Sequence, residues 1–222
     1  MALKIEMSSD LKNRFPNLRA LVISVRDWEI TKRDDELERL KMEILKETRE
    51  KYSLETLKDI PMFRAYRDFF WEIGIDPTKN RPATEALTRR VLAGKMLPNI
   101  NTLVDAYNLA SVKSQVALAA FDEDKVEGKP TMRFALRDER FLGIGMEKPM
   151  QLKGGEIVIS DLHRVMAIYP YRDADYSRVT EETRNVLILI CGVPGITIET
   201  LNLAMQMALE YINRFCHGSM RT

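Results

Sequence analysis

The sequence predicts an α+β protein folded as one compact domain over residues 1–222. Two features of the chain support this prediction. The first half has apolar residues at helical spacing, whereas residues 116–169 hold short strand-like segments separated by glycine-containing turns. A further helical pattern closes the chain. Helices that flank a block of short strands are typical of α+β proteins rather than of an alternating parallel sheet.

The N-terminal part of the chain combines two predicted strands with a series of predicted helices. The strands are expected at residues 4–7 and 18–25, the second because it is rich in β-branched residues. Helices are expected over residues 34–48, 54–73 and 83–93. Pro61 interrupts the second helix, and Gly74 and Gly94 end the second and the third. Residues 1–58 are expected to form a peripheral strand and helix layer of the domain.

Residues 99–112 predict a helix that is apolar over most of its surface but carries one polar stripe. At about 100° per residue, the four polar side chains fall within an arc of about 120°. They are Asn101, Asp105, Asn108 and Ser111. Since each buried polar group needs a partner, the stripe has two interpretations. It either faces water or ties down neighbouring loops, or it lines a ligand pocket.

Short strands are predicted after this helix, and helices again towards the end of the chain. The strands are expected at residues 116–121, 129–136, 150–152, 156–159 and 163–169. Thr180 is expected to cap a helix over residues 181–191, with Glu181 and Glu182 at its positive end. The last predicted helix spans residues 198–215.

Composition narrows the functional classes. The 34 basic and 33 acidic side chains nearly cancel, so the chain lacks the global charge of a general nucleic-acid binder. A group of arginines could still form either a phosphate-binding patch or a solvated face of the protein. They are Arg64, Arg67, Arg81, Arg89 and Arg90.

Cys191 and Cys216 are too few for a disulfide framework and lack zinc-site spacing. No signal peptide or membrane span is evident, and a cytoplasmic setting without metal or cofactor is expected.

Common catalytic motifs such as a nucleophile elbow or a glycine-rich phosphate loop are missing from the sequence. His163 lies two residues after Asp161 in a strand-like segment. On an alternating strand the two side chains share a face, which allows an acid–base pair. A surface or core histidine without a catalytic role is the alternative.

The sequence resembles the free-standing relatives of the editing domain of the phenylalanyl-tRNA synthetase beta chain. The resemblance is strongest over residues 64–187 and rests on the order and spacing of a series of segments. They read FRAYRDFFWEIGIDPTKNRPATEALTRRVLAGKMLPNINTLVDAYNLASV, FDEDKVEG, MRFALRDERF, GGEIVISD and YRDADYSRVTEETRNVL. The resemblance implies layered β-sheets flanked by helices, with an editing-domain-like core over residues 59–216. It also implies an amino-acyl pocket built around the helix at residues 99–112.

The resemblance carries over to single residues on the predicted pocket helix. The family helix reads Asp-x-x-Asn, which Asp105 and Asn108 match, so Asn108 corresponds to a pocket Asn. The residue before that Asn is commonly Thr in the synthetase and is Tyr107 here. A pocket His of the synthetase falls at Ala119 in this chain. This part of the pocket is therefore expected to be remodelled.

The remaining pocket residues are expected in the loop before residue 180. The acids nearest to the pocket Glu of the synthetase are Asp173 and Asp175, and the spacing leaves both open. The Arg172-Asp173 pair is typical of the free-standing relatives. A glycine-rich segment of the synthetase is replaced here by residues 167–172, which include Tyr169.

Three functions are compatible with these residues. The first is hydrolysis of a mischarged aminoacyl-tRNA in trans. In this reaction Asn108 or a pair of backbone N–H groups donates to the oxyanion, Asp173 orients the water, and a free hydroxyl of the terminal ribose assists. Its partners are tRNA or aminoacyl-tRNA and a small amino-acid ligand. The expected substrate-binding residues are Asn101, Asp105, Tyr107, Ser111, Ala119, Tyr169, Arg172 and Asp175. The second is a non-catalytic module that binds an amino acid or a nucleotide in the same pocket. The third is a structural or regulatory protein with a vestigial pocket.

Overall fold

The computed structural model describes residues 3–218, which form six α-helices and thirteen short strands. The helices are α1 (Ser9–Arg14), α2 (Asp35–Lys51), α3 (Pro61–Glu72), α4 (Ala83–Leu92), α5 (Thr102–Ser114) and α6 (Ile198–Phe215). The first strands are β1 (Leu3–Lys4), β2 (Glu6–Met7), β3 (Ala20–Val25), β4 (Trp28–Glu29), β5 (Ala117–Asp122) and β6 (Thr131–Phe134). The others are β7 (Arg140–Phe141), β8 (Met150–Gln151), β9 (Ile157–Ser160), β10 (Val165–Ile168), β11 (Arg172–Asp173), β12 (Val186–Cys191) and β13 (His217–Gly218). The predicted α+β class is confirmed.

Two sheets form the centre of the protein. The first has four strands in the order β1-β3-β12-β5, and all six residues of β12 pair with both neighbours. The second has five strands in the order β11-β10-β9-β6-β2, of which β2 and β6 are parallel. Side chains of both sheets join one hydrophobic core, which also includes residues of α5 and α6. Sheets and helices therefore form stacked layers.

The second sheet is also covered on its outer face. Ile157 and Ile159 of β9 belong to the main core, whereas Val158 between them belongs to a smaller core. That smaller core includes Phe141 of the β7–β8 ribbon. Because side chains alternate along a strand, this division shows that β9 is buried on both faces.

The prediction of a helix over residues 181–191 is wrong, because this segment contains strand β12. Every residue of β12 is buried. A fully buried strand is a short continuous apolar run, which periodicity cannot distinguish from a buried helix. Thr180 is part of a turn instead: its hydroxyl accepts from the Glu182 N–H at 3.3 Å, and its own N–H donates to Thr183 Oγ1 at 3.0 Å.

The segment expected to form a peripheral layer, residues 1–58, contributes an inner strand to the first sheet. β3 lies between β1 and β12. In α2, Leu37, Ile44 and Leu45 are buried in the main core. Within the described part of the chain, no helix combines the length and the apolar character needed to cross a membrane.

The helix expected at residues 99–112 begins three residues later, at Thr102. Asn101 is its N-cap, and its Oδ1 accepts a hydrogen bond from the Val104 N–H at 2.9 Å. α5 packs against α2, α4, α6 and β5. Such a central position explains why most of the helix is apolar.

Candidate functional site

A small cavity lies between the two sheets, in the region predicted to hold the pocket. Its volume is about 40 Å³, room for a few water molecules. The lining comes mainly from β5, β12, β10 and the segment that follows β10. The lining residues include Ala119, Tyr169, Tyr171, Asp173, Leu189 and Cys191. Asp173 is the one carboxylic acid among the described lining residues, and the other walls are mostly apolar.

Asp173 combines partial burial with a free carboxyl group. It lies on the edge strand β11, opposite Ala167 of β10. Its carboxylate has no hydrogen bond or ion pair to any residue of the described chain. Burial raises the pKa of Asp173 from 3.8 to about 7, because the charged form loses its hydration. Near neutral pH this carboxyl group is therefore able to accept and return a proton.

Tyr107 of α5 lies close enough to Asp173 for the two side chains to interact electrostatically. Burial, and then the negative charges of Asp173 and Asp105, raises the pKa of Tyr107. Its hydroxyl group therefore stays protonated and can donate a hydrogen bond, and it has no partner within the described chain. Burial and the same Asp173 charge raise the pKa of the Cys191 thiol, so Cys191 is not a thiolate nucleophile.

Ala119 and Tyr169, two of the expected substrate-binding residues, also line the cavity. Ala119 pairs with Leu189 in the first sheet. The Tyr169 hydroxyl is already engaged, since it donates to the Gly192 carbonyl. Thus Ala119, Tyr169 and Asp173 are brought together at one place, but only Asp173 among them offers a free titratable group.

Three members of the polar stripe on α5 have structural partners and do not line the cavity. Asn101 caps the helix, and its Nδ2 lies 3.5 Å from the Val179 carbonyl. Asp105 accepts from Lys41 at 2.9 Å and from the Ile100 N–H at 3.0 Å. Ser111 donates to the Val116 carbonyl at 2.7 Å. The expected pocket role is therefore corrected for these residues: their contacts tie down neighbouring segments, which was the alternative interpretation.

The other predicted residues lie apart from the cavity walls. Asn108 is half-buried, and its amide has no partner within the described chain. Asp175 forms an ion pair with Arg178 at 2.9 Å. Arg172 is exposed and lines a neighbouring cleft rather than the cavity. The sequence did not decide whether Asp173 or Asp175 corresponds to the pocket Glu, and of the two only Asp173 lines the cavity.

Asp161 and His163 form a turn rather than an acid–base pair. Asp161 Oδ1 accepts from the backbone N–H groups of His163 at 2.8 Å and Arg164 at 2.6 Å. The His163 ring instead lies 3.3 Å from the Glu127 carboxylate, on the surface. Burial opposes ionisation of Asp161, but these hydrogen bonds outweigh it and lower its pKa. Its carboxylate is therefore a structural acceptor.

The sequence did not indicate that Tyr171 lines both the cavity and the neighbouring cleft that Arg172 lines. The only signal for it was its place in the segment that replaces the glycine-rich region. Within the described residues, no group of three His, Cys, Asp or Glu side chains is arranged to hold a metal ion.

These features define a small α+β protein with an isolated carboxyl group in a cavity between two layered sheets. The chain matches the B3/4 domain over residues 65–221 and belongs to that family. It is 30% identical over 115 residues to the phenylalanine–tRNA ligase beta subunit of Fusobacterium nucleatum, a match that covers 51% of this chain and 14% of that protein. It is 28% identical over 138 residues to the same subunit of Staphylococcus saprophyticus, covering 62% of this chain and 17% of that protein.

The chain therefore spans less than a fifth of the length of these curated relatives. Among solved structures, an N-terminal fragment of the phenylalanyl-tRNA synthetase beta subunit from Pyrococcus horikoshii is similar with a TM-score of 0.44 and 19% identity. That likeness covers 51% of this chain and 40% of the fragment.

Proposed function

We propose that this B3/4-domain protein hydrolyses the ester of a mischarged aminoacyl-tRNA in trans. The observation that carries the proposal is Asp173, a carboxyl group without a described partner in a cavity that has room for water. The match to phenylalanine–tRNA ligase beta subunits supports tRNA as the partner. The site residues supply the chemistry that an already activated ester needs, which is a positioned water and an oxyanion donor.

The proposed reaction uses Asp173 as the general base. A water molecule in the cavity attacks the acyl carbon while its proton moves to the Asp173 carboxylate. The new carbon–oxygen bond forms a tetrahedral oxyanion, towards which the protonated Tyr107 hydroxyl donates. The bond to the ribose oxygen then breaks, and that oxygen takes the proton from Asp173. The products are the free amino acid and deacylated tRNA.

Asn108, which lies apart from the cavity walls, is proposed to contact the part of the substrate that stays outside the cavity. Its half-buried amide has no partner within the described chain and is therefore free to bind substrate. The cavity volume of about 40 Å³ suits water better than an aromatic ring. We therefore expect the acyl group to be smaller than phenylalanine or tyrosine, or to bind with its side chain outside the cavity.

The experiment is a screen of purified protein against a panel of misacylated tRNAs, scored by loss of the ester. The Asp173→Asn variant removes the base and keeps the shape of the side chain. Asp138→Asn is a matched control, because Asp138 is exposed and Asn tolerates its positive φ of 64°. We expect turnover of at least one substrate by the wild type and the control, and its loss in Asp173→Asn.

A non-catalytic binding module is the second candidate, favoured by the net charge of +1 for the whole chain. It predicts that an amino acid or nucleotide binds without any loss of ester across the panel. Calorimetric binding in the absence of turnover would select this candidate over the hydrolase.

A further inference from the structure

A second concave feature, which we call the basic cleft, lies beside the cavity and follows α4. Its volume is about 430 Å³. Six of the residues that line it are cations: Lys79, Arg81, Arg89, Arg90, Lys95 and Arg172. No acidic residue occurs among its described lining residues. The cleft therefore has a strong local excess of positive charge in a chain whose net charge is +1.

The ion pairs of the protein leave most of these charges uncompensated. Arg89 is bound to the buried Glu85 at 2.7 Å, and Lys79 lies 3.8 Å from Asp76. The other four cations of the cleft are exposed and have no carboxylate partner within the described chain; they are Arg81, Arg90, Lys95 and Arg172. A surface that gathers unpaired cations raises the local concentration of anionic ligands.

The larger cleft at the other end of the sheets, of about 760 Å³, provides a comparison within the same molecule. Its lining contains three cations, Lys4, Arg26 and Lys129. Three acids of the same lining balance them, namely Glu6, Glu123 and Asp124. The larger cleft therefore lacks the excess of positive charge that distinguishes the basic cleft.

The basic cleft adjoins the Asp173 cavity. Tyr171 lines both. Arg172 and Asp173 follow each other on β11, where successive side chains point to opposite sides. Arg172 therefore faces the cleft and Asp173 the cavity. Gly143 makes room for the stem of Arg172, since a Cβ at Gly143 would lie 2.7 Å from the Arg172 Cδ.

We propose that the basic cleft binds the phosphodiester backbone of a single-stranded RNA 3′ end, whose terminal ribose is thereby directed to the Asp173 cavity. Arginine suits this role because its planar fork binds phosphate oxygens in pairs. The exposed backbone of a single strand is able to follow the cleft along α4. This assignment rests on the proposed function, which it deepens by locating the contact surface for the RNA.

The test measures binding of a fluorescent single-stranded RNA without an aminoacyl group, by anisotropy at 50 mM and 200 mM salt. The main variant is Arg81→Ala/Lys95→Ala, because neither side chain has a described partner whose loss would disturb folding. Arg26→Ala, in the cleft of mixed charge, is the matched control. Thermal melts verify that all proteins are folded.

We expect the double variant to bind about tenfold more weakly at the lower salt concentration. Its salt slope should fall by about 1.4, since each phosphate contact on a single strand contributes about 0.7. The Arg26→Ala control should bind as the wild type does. Equal binding by the double variant and the wild type overturns the proposal, as does an equal loss in the control. Binding of polyglutamate as tight as that of RNA also overturns it, in favour of an acidic protein partner.

Because the RNA probe carries no ester, this result is independent of catalysis. RNA binding through the basic cleft without hydrolysis of any ester would support the cleft and reject the proposed function. Hydrolysis by the wild type with unchanged RNA binding by the double variant would reject the cleft and leave the proposed function standing.

Discussion

The ammonium group of Lys41 on α2 lies 2.9 Å from the carboxylate of Asp105 on α5, and both side chains are buried. Lys41 also donates to Glu38 at 2.9 Å and to the Asn99 side chain at 2.5 Å. Asp105 accepts a second bond from the Ile100 N–H. A buried ion pair needs such additional hydrogen bonds to offset the loss of hydration. Asp105 therefore joins two helices and is not available to a ligand.

Lys41→Met should destabilise the protein strongly, because it leaves the Asp105 carboxylate buried without a counter-charge. The expected cost is about 3–5 kcal/mol. The double variant Lys41→Met/Asp105→Leu should regain most of this loss, since it removes both charges. Urea unfolding of the two variants and the wild type measures the effect. A loss below about 1 kcal/mol in the single variant would contradict a structural role for the pair.

The rate of ester hydrolysis should depend on the ionisation of Asp173. The base acts only as the carboxylate, and its pKa is raised to about 7. The rate should therefore fall as the pH drops below about 7 and reach a plateau above it. Asp173→Asn should lower kcat by about 10²–10⁴-fold and abolish this pH dependence. A profile that is flat between pH 5 and 8 would show that another group, or the substrate itself, takes the proton.

The same carboxyl group should make stability depend on pH in an unusual direction. Its pKa in the folded state, about 7, exceeds its ordinary value of 3.8. Its contribution to stability is therefore fully present below about pH 4 and is lost as the pH rises through about 7. Asp173→Asn should raise the melting temperature at pH 8 by more than at pH 4.5. Melting curves at both values test this, and an equal change at the two would exclude a raised pKa in the folded state.

His163→Ala should change the rate of hydrolysis by less than about tenfold, because general acid–base catalysis is typically worth 10²–10⁴-fold. The imidazole pairs with Glu127 on the surface, and the backbone N–H of His163 makes the bond to Asp161. That bond survives the substitution. Single-turnover rates with the substrate found in the screen are the measurement. A folded variant slowed about a thousandfold would place His163 in the mechanism after all.

The sequence predicted those helices whose apolar positions recur at regular spacing. α2, α4 and α6 lie within a few residues of their expected positions, because amphipathic helices carry a periodic signal. β12 was missed because all six of its residues are buried. A strand buried on both faces loses the alternation that marks a half-exposed strand.

The site was predicted less completely than the fold. The spacing of Asn101, Asp105 and Ser111 shows that they share one face of the helix. It does not show that Asn101 contacts Val179, that Asp105 contacts Lys41 or that Ser111 contacts Val116. Likewise, the ionisation of Asp173 depends on its burial by segments distant in the chain. Such long-range contacts are absent from local patterns, and only the resemblance to a known family indicated Asp173 as a candidate.

The two residues of β11 place opposite charges on opposite sides of a single edge strand. Their register is held by two pairs with β10, by the bridge between Gly143 and Ala174 and by the Ile144 N–H, which donates to the Asp173 carbonyl at 2.9 Å. A slip of one residue would exchange the two side chains. It would put a guanidinium in the cavity and a carboxylate among the cations of the cleft. An insertion of one residue in the segment between β10 and β11 should therefore exchange the sides on which the two charges lie while leaving the composition of the site unchanged.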